Sequence, residues 1–95
     1  MPTYMVVALD IRDRDAFKAY QKAAMKTFKI GEGRVLAASS AERVEGDEPR
    51  QWNVIVEFPS LEKAKVWYHS DEYQAAIPLR ADSAPGANLI FVEGL

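Results

Sequence analysis

The 95-residue sequence has no cysteine, which removes disulfides, thiol nucleophiles and thiolate metal sites together. It has one histidine, His69, too little imidazole for a three-histidine metal centre within a single chain. It has no excess of basic residues. Twelve Lys and Arg against fourteen Asp and Glu give a net charge of −2, so the electrostatic footprint of a nucleic-acid partner is missing. Long apolar runs are also missing. The longest, Met5 to Leu9, falls far short of the roughly 20 residues that cross a bilayer. Met1-Pro2-Thr3-Tyr4 lacks the basic stretch and apolar core of a secretory signal, so a cytoplasmic protein without a membrane partner is expected. Glycine and proline number five each, against 48% hydrophobic residues, which excludes disordered and fibrous chains. Gly31-Glu32-Gly33 is too poor in glycine, and in the wrong context, for a phosphate-binding loop. No cofactor and no metal are expected.

What is present is one domain over residues 1–95. Thr3 to Leu9 predicts a first strand. Asp13 then offers a helix cap, with Asp15 in the first turn where the helix dipole favours it. Phe17, Tyr20, Ala24 and Phe28 recur on one helical face, and the spacing predicts about four turns with Gly31 as the stop. Arg34 to Ala38 and Trp52 to Phe58 predict two more strands, joined by the polar stretch Ser39 to Arg50. Pro59 ends the third strand, and Ser60 caps a second helix carrying Leu61, Ala64, Trp67 and Tyr68. Ser70 caps a short extra helix around Tyr73 to Ala76, with a break predicted at Ile77-Pro78. After the turn at Ala84-Pro85-Gly86, Asn88 to Glu93 predicts the last strand. The order β-α-β-β-α-β is the ferredoxin-like pattern: an α+β fold with an antiparallel sheet.

The strand alternation carries a further message. In the first strand Met5, Val7 and Leu9 point one way and Tyr4, Val6 and Ala8 the other. Leu89 and Phe91 oppose Ile90 and Val92 in the same manner. Helices of this length cover only one face of such a sheet. The least costly cover for the second is the same face of another copy, which predicts a homodimer closed through its sheets.

Val54-Ile55-Val56-Glu57-Phe58-Pro59-Ser60-Leu61-Glu62-Lys63-Ala64, followed by Trp67-Tyr68-His69-Ser70-Asp71-Glu72-Tyr73-Gln74, Leu79-Arg80 and Phe91-Val92-Glu93-Gly94, resembles the signature of the domain of unknown function 1330 family. The first half agrees more loosely, through Tyr4-Met5-Val6-Val7 and the spacing to Tyr20. The resemblance implies a dimeric α+β barrel in which two ferredoxin-like sheets pack face to face. That architecture is shared with muconolactone isomerase-like proteins and antibiotic-biosynthesis monooxygenases. Shared architecture alone assigns no reaction.

The candidate ligand-binding residues are Tyr20, Trp67, His69, Tyr73 and Arg80, expected to converge between the sheet and the second helical segment. Arg80 holds a carboxylate through a bidentate fork, and aromatic walls suit a small planar guest. The competing expectation for Arg80 is an ion pair with Glu57, Asp71, Glu72 or Asp82. His69 and Tyr73 are the weak candidates for acid–base catalysis, with Tyr20 beside them. An exposed histidine near a helix end explains His69 without chemistry. Asp10 and Glu57 are weighed as a carboxylate pair and read as solvated strand ends; Trp52, Trp67 and Tyr68 are read as core rather than a cofactor stack. Pro2, with Met1 removed, resembles the catalytic amine of tautomerases, a distant third. The expected function is therefore a dimeric domain that binds a small anionic or aromatic ligand, with a cofactor-independent isomerase- or monooxygenase-like enzyme as the alternative.

Overall fold

A computed structural model describes residues Met1–Leu95. Four strands, β1 (Thr3–Leu9), β2 (Arg34–Ser39), β3 (Trp52–Phe58) and β4 (Asn88–Glu93), form one antiparallel sheet in the order β2-β3-β1-β4. Three helices, α1 (Arg14–Met25), α2 (Leu61–Tyr68) and α3 (Asp71–Ser83), accompany it. This is the expected ferredoxin-like arrangement. No helix is long and apolar enough to cross a membrane.

Alternation along β1 sorts the sheet into two unlike faces. Met5, Val7 and Leu9 are buried with Val56 and Phe58 beneath the helices. Tyr4, Val6 and Ala8 point to the uncovered side. Register builds a row on that side from Ile90, Val6, Ile55 and Ala37, beside a second row of Val92, Tyr4, Glu57 and Arg34. Ile90 is 45% exposed and Val92 47%. An irregularity between Val35 and Ala37 leaves Leu36, 46% exposed, as the extra residue of a bulge in β2.

Asp13 caps α1, its carboxylate accepting from the Ala16 N–H at 3.1 Å, and Phe17, Tyr20 and Ala24 are buried on the predicted face. The helix does not run to Gly31. It stops at Met25, and a 3₁₀ turn over Phe28–Gly31 follows. Thr27 explains the change. Its N–H and its hydroxyl both donate to the Ala24 carbonyl, at 2.9 and 2.6 Å, which tightens the chain toward three-residue turns. Gly31 is not the left-handed stop either; Glu32 is, at φ 60°. Gly31 is required by proximity, since a Cβ there would lie 2.6 Å from the Lys63 carbonyl and 2.9 Å from Trp67 Cβ.

The predicted break at Ile77-Pro78 is also absent, because α3 continues through Pro78 to Ser83. Proline leaves one carbonyl, that of Gln74, without its helical partner. Both Gln74 and Pro78 are exposed, so water supplies what the helix loses. The segment is thus one helix of 13 residues rather than a short turn.

Candidate functional site

Ser70 joins the two C-terminal helices. Its hydroxyl donates to the Trp67 carbonyl at 2.6 Å and accepts from the Tyr73 N–H at 3.2 Å, closing α2 and capping α3 with one side chain. That junction holds the Trp67 and Tyr73 rings with centroids 4.1 Å apart, and Tyr68 stands 5.6 Å from Tyr73. Trp67 and Tyr73 have no exposed surface. The Trp67 indole N–H donates to Thr27 Oγ1 at 2.8 Å, so a buried donor is satisfied.

From the other side α1 brings Tyr20, whose Oη lies 2.9 Å from Tyr73 Oη. Burial pushes the pKa of both phenols up. The mutual hydrogen bond acts in opposite senses, holding the proton on Tyr20 and easing its loss from Tyr73, while the Arg80 guanidinium pulls both down. At neutral pH both tyrosines therefore keep their protons, and one of the two hydroxyls donates to the other.

Arg80 follows Tyr73 by two helical turns, on the same face. It is half-buried. The ion pair expected with Glu57, Asp71, Glu72 or Asp82 does not form: Glu57 pairs with Arg34 at 2.9 Å, and the Arg80 guanidinium has neither a carboxylate nor a hydrogen-bond acceptor. It lines a cleft of about 380 Å³ with Tyr68, Ala87, Asn88, Leu89 and Phe91. That volume lies in the range of small-molecule sites.

The five candidate residues are thus divided. Tyr20 and Tyr73 meet through their hydroxyls, with Arg80 near enough to act on both. Trp67 supports them from the core. His69 is exposed and lines a separate depression with Leu61, Glu62, Lys65 and Val66; only its edge-on contact with Tyr68, at 5.2 Å, links it to the cluster. Tyr68, Ala87, Asn88, Leu89 and Phe91 are the lining residues that the candidate set lacked, and of that set Arg80 alone lines the cleft. The inward alternation of Leu89 and Phe91 was the available signal, but their neighbourhood with α3 is tertiary. Asp10 and Glu57 do not meet. Asp10 follows the end of β1 and accepts from the Gln51 N–H, whereas Glu57 lies opposite Tyr4 at its start.

Solved structures place this arrangement in the class of ferredoxin-like α+β folds. A protein of unknown function from Rhodopseudomonas palustris superposes with a TM-score of 0.82 at 20% identity, covering 99% of this chain and 82% of its own. A dimeric ferredoxin-like protein of unknown function from Thermobifida fusca gives 0.72 at 12% identity, covering 99% and 92%. A cofactor-independent oxygenase from Streptomyces nogalater gives 0.72 at 7% identity, covering 99% and 93%. No curated protein matches the sequence. The family is defined by sequence: the chain belongs to DUF1330, the Domain of unknown function (DUF1330), whose profile matches residues 2–95.

Proposed function

We propose that this protein is a homodimeric binding domain for a small planar carboxylate, held by Arg80 and flanked by Tyr68 and Phe91. The observation that carries the reading is the guanidinium itself. A half-buried Arg80 facing a cleft of about 380 Å³ has given up part of its hydration and has no anionic partner, a state that an incoming carboxylate relieves. Tyr68 and Phe91 supply flat apolar surface for the body of the ligand.

Self-association is supported by the uncovered sheet face, where Val6, Ile55, Ile90 and Leu36 make an apolar patch with the Arg34–Glu57 ion pair alongside it. The Thermobifida fusca relative is described as dimeric. Two copies related by a two-fold axis bury one patch against the other.

The cofactor-independent enzyme is the weaker reading. Its natural proton-transfer groups, Tyr20 and Tyr73, are raised by burial and hold their protons, which suits hydrogen-bond donation better than proton abstraction.

The test is calorimetric titration with benzoate and related aryl carboxylates, together with light scattering. Benzoate binding that Arg80→Ala weakens by about 2–5 kcal/mol, the usual consequence of unpairing a charge in a site, supports the reading. Benzoate binding unchanged by that substitution overturns it. A solution mass near 10.6 kDa, that of one chain, overturns the dimer.

A further inference from the structure

A second site lies where α1 meets the sheet, and there two hollows share a wall. The inner hollow, about 100 Å³, runs between α1 and the β2 side of the sheet. Phe17, Tyr20, Ala24, Met25, Val35 and Ala38 are among its walls, and eleven of its twelve lining residues are hydrophobic, Gln21 being the exception. Met25, 63% exposed, and Ala38, also exposed, mark its mouth. Walls of this kind favour an apolar guest over water, and a closed cavity of about 150 Å³ with similar walls takes benzene.

The outer hollow, about 220 Å³, shares Phe17 and Gln21 with the inner one and adds Ile11, Arg14, Lys18 and Trp52. Arg14, Lys18 and Gln21 lie on one face of α1 at helical spacing. Neither cation has an ion pair, although Asp13 and Asp15 are near in sequence. Trp52 adds the independent observation: its indole N–H is buried and has no acceptor, whereas the N–H of Trp67 is paired with Thr27.

We propose that this pair of hollows binds an amphiphilic monocarboxylate, with the apolar tail in the inner hollow and the carboxylate at Arg14 and Lys18, where a small turn of the Trp52 ring brings its buried N–H to it. The tail covers apolar wall, and the head meets two exposed cations without carboxylate partners and offers the orphaned indole an acceptor. The site is independent of the Arg80 cleft, which lies against β4.

Hexanoate, with hexanol as its uncharged counterpart, is the probe, and the two indole N–H signals of the ¹⁵N-labelled protein are the readout. Trp52→Phe assigns them. Hexanoate is expected to move the Trp52 signal saturably, and hexanol to bind about tenfold more weakly or worse. Replacing both Arg14 and Lys18 with Gln, on an exposed helix face, is expected to weaken hexanoate about tenfold. Ala38→Phe, which closes the mouth from an edge strand, abolishes binding, and Arg80→Ala leaves it. A Trp52 signal unmoved by millimolar hexanoate overturns the proposal. So do equal binding of hexanol, hexanoate affinity unaltered by the paired Gln substitutions, hexanoate still bound by a folded Ala38→Phe protein, and hexanoate binding lost with Arg80→Ala.

Discussion

The hydroxyl pair Tyr20–Tyr73 allows a sharp test of how α1 and α3 are joined. The two Oη atoms lie 2.9 Å apart between residues that are both buried. Tyr20→Phe removes one hydrogen bond and strands the Tyr73 hydroxyl in the core, and Tyr73→Phe does the converse. Leaving a buried hydroxyl unpaired costs about 1–3 kcal/mol. For a domain of this size that corresponds to a fall in melting temperature of roughly 5–15 °C. The double variant leaves nothing stranded, because both partners are replaced by rings of the same shape. Its stability should lie close to that of either single variant, giving a coupling of about 1–3 kcal/mol between the two sites. Denaturant unfolding of all four proteins at one fixed concentration measures this cycle and keeps any dimer contribution constant. Strict additivity, with the double variant losing the sum of the two single losses, would refute the pairing.

Three other outcomes follow from named contacts. The raised pKa values of Tyr20 and Tyr73 mean that the folded state binds more protons than the unfolded state above about pH 10. Their stabilising effect is therefore complete below that pH and is lost as pH rises through the folded-state values, at about 1.4 kcal/mol per pH unit per tyrosine; alkaline melts of the wild type falling no faster than those of the double Phe variant would contradict this. Thr27→Val strands the Trp67 N–H and should cost about 1–3 kcal/mol more than Thr27→Ser, which keeps the hydroxyl; calorimetric melts compare them. Gly31→Ala places a Cβ 2.6 Å from the Lys63 carbonyl and should destabilise by about 1–3 kcal/mol through overpacking, read from urea midpoints.

The helix face Phe17-Tyr20-Ala24 and the two-sided strands were legible because each follows from a local repeat, of 3.6 and of 2 residues. Pro78 misled for an equally local reason. Its sequence signal reports the lost hydrogen bond but not whether solvent can replace it, and exposure of Gln74 and Pro78 decides that. The end of α1 turned on Thr27, whose hydroxyl serves a tryptophan 40 residues away. Arg80 stood out in the sequence, yet its lack of an acidic partner is visible only once Glu57 is seen to be taken by Arg34. The Trp52 hollow gave no signal of that kind, because its cations and its orphaned indole come from separate elements.

The strand order has a temporal consequence. β1 occupies the middle of the sheet, and both of its neighbours, β3 and β4, come later in the chain. At a synthesis rate of about 5–20 residues per second, the interval between β1 and β4 amounts to roughly several seconds. Until β3 emerges, about midway through that interval, the most apolar strand of the protein has two bare edges, and from then until β4 emerges the edge that β4 will cover stays bare. Such an edge is a template for pairing with any other extended chain. Every hydrogen bond that β1 makes in the sheet spans more than forty residues, so the sheet cannot close piecemeal from its N-terminal end. The arrival of β4 is thus the event that retires the hazard, and substitutions that weaken β4 pairing are expected to show first as insoluble product during expression.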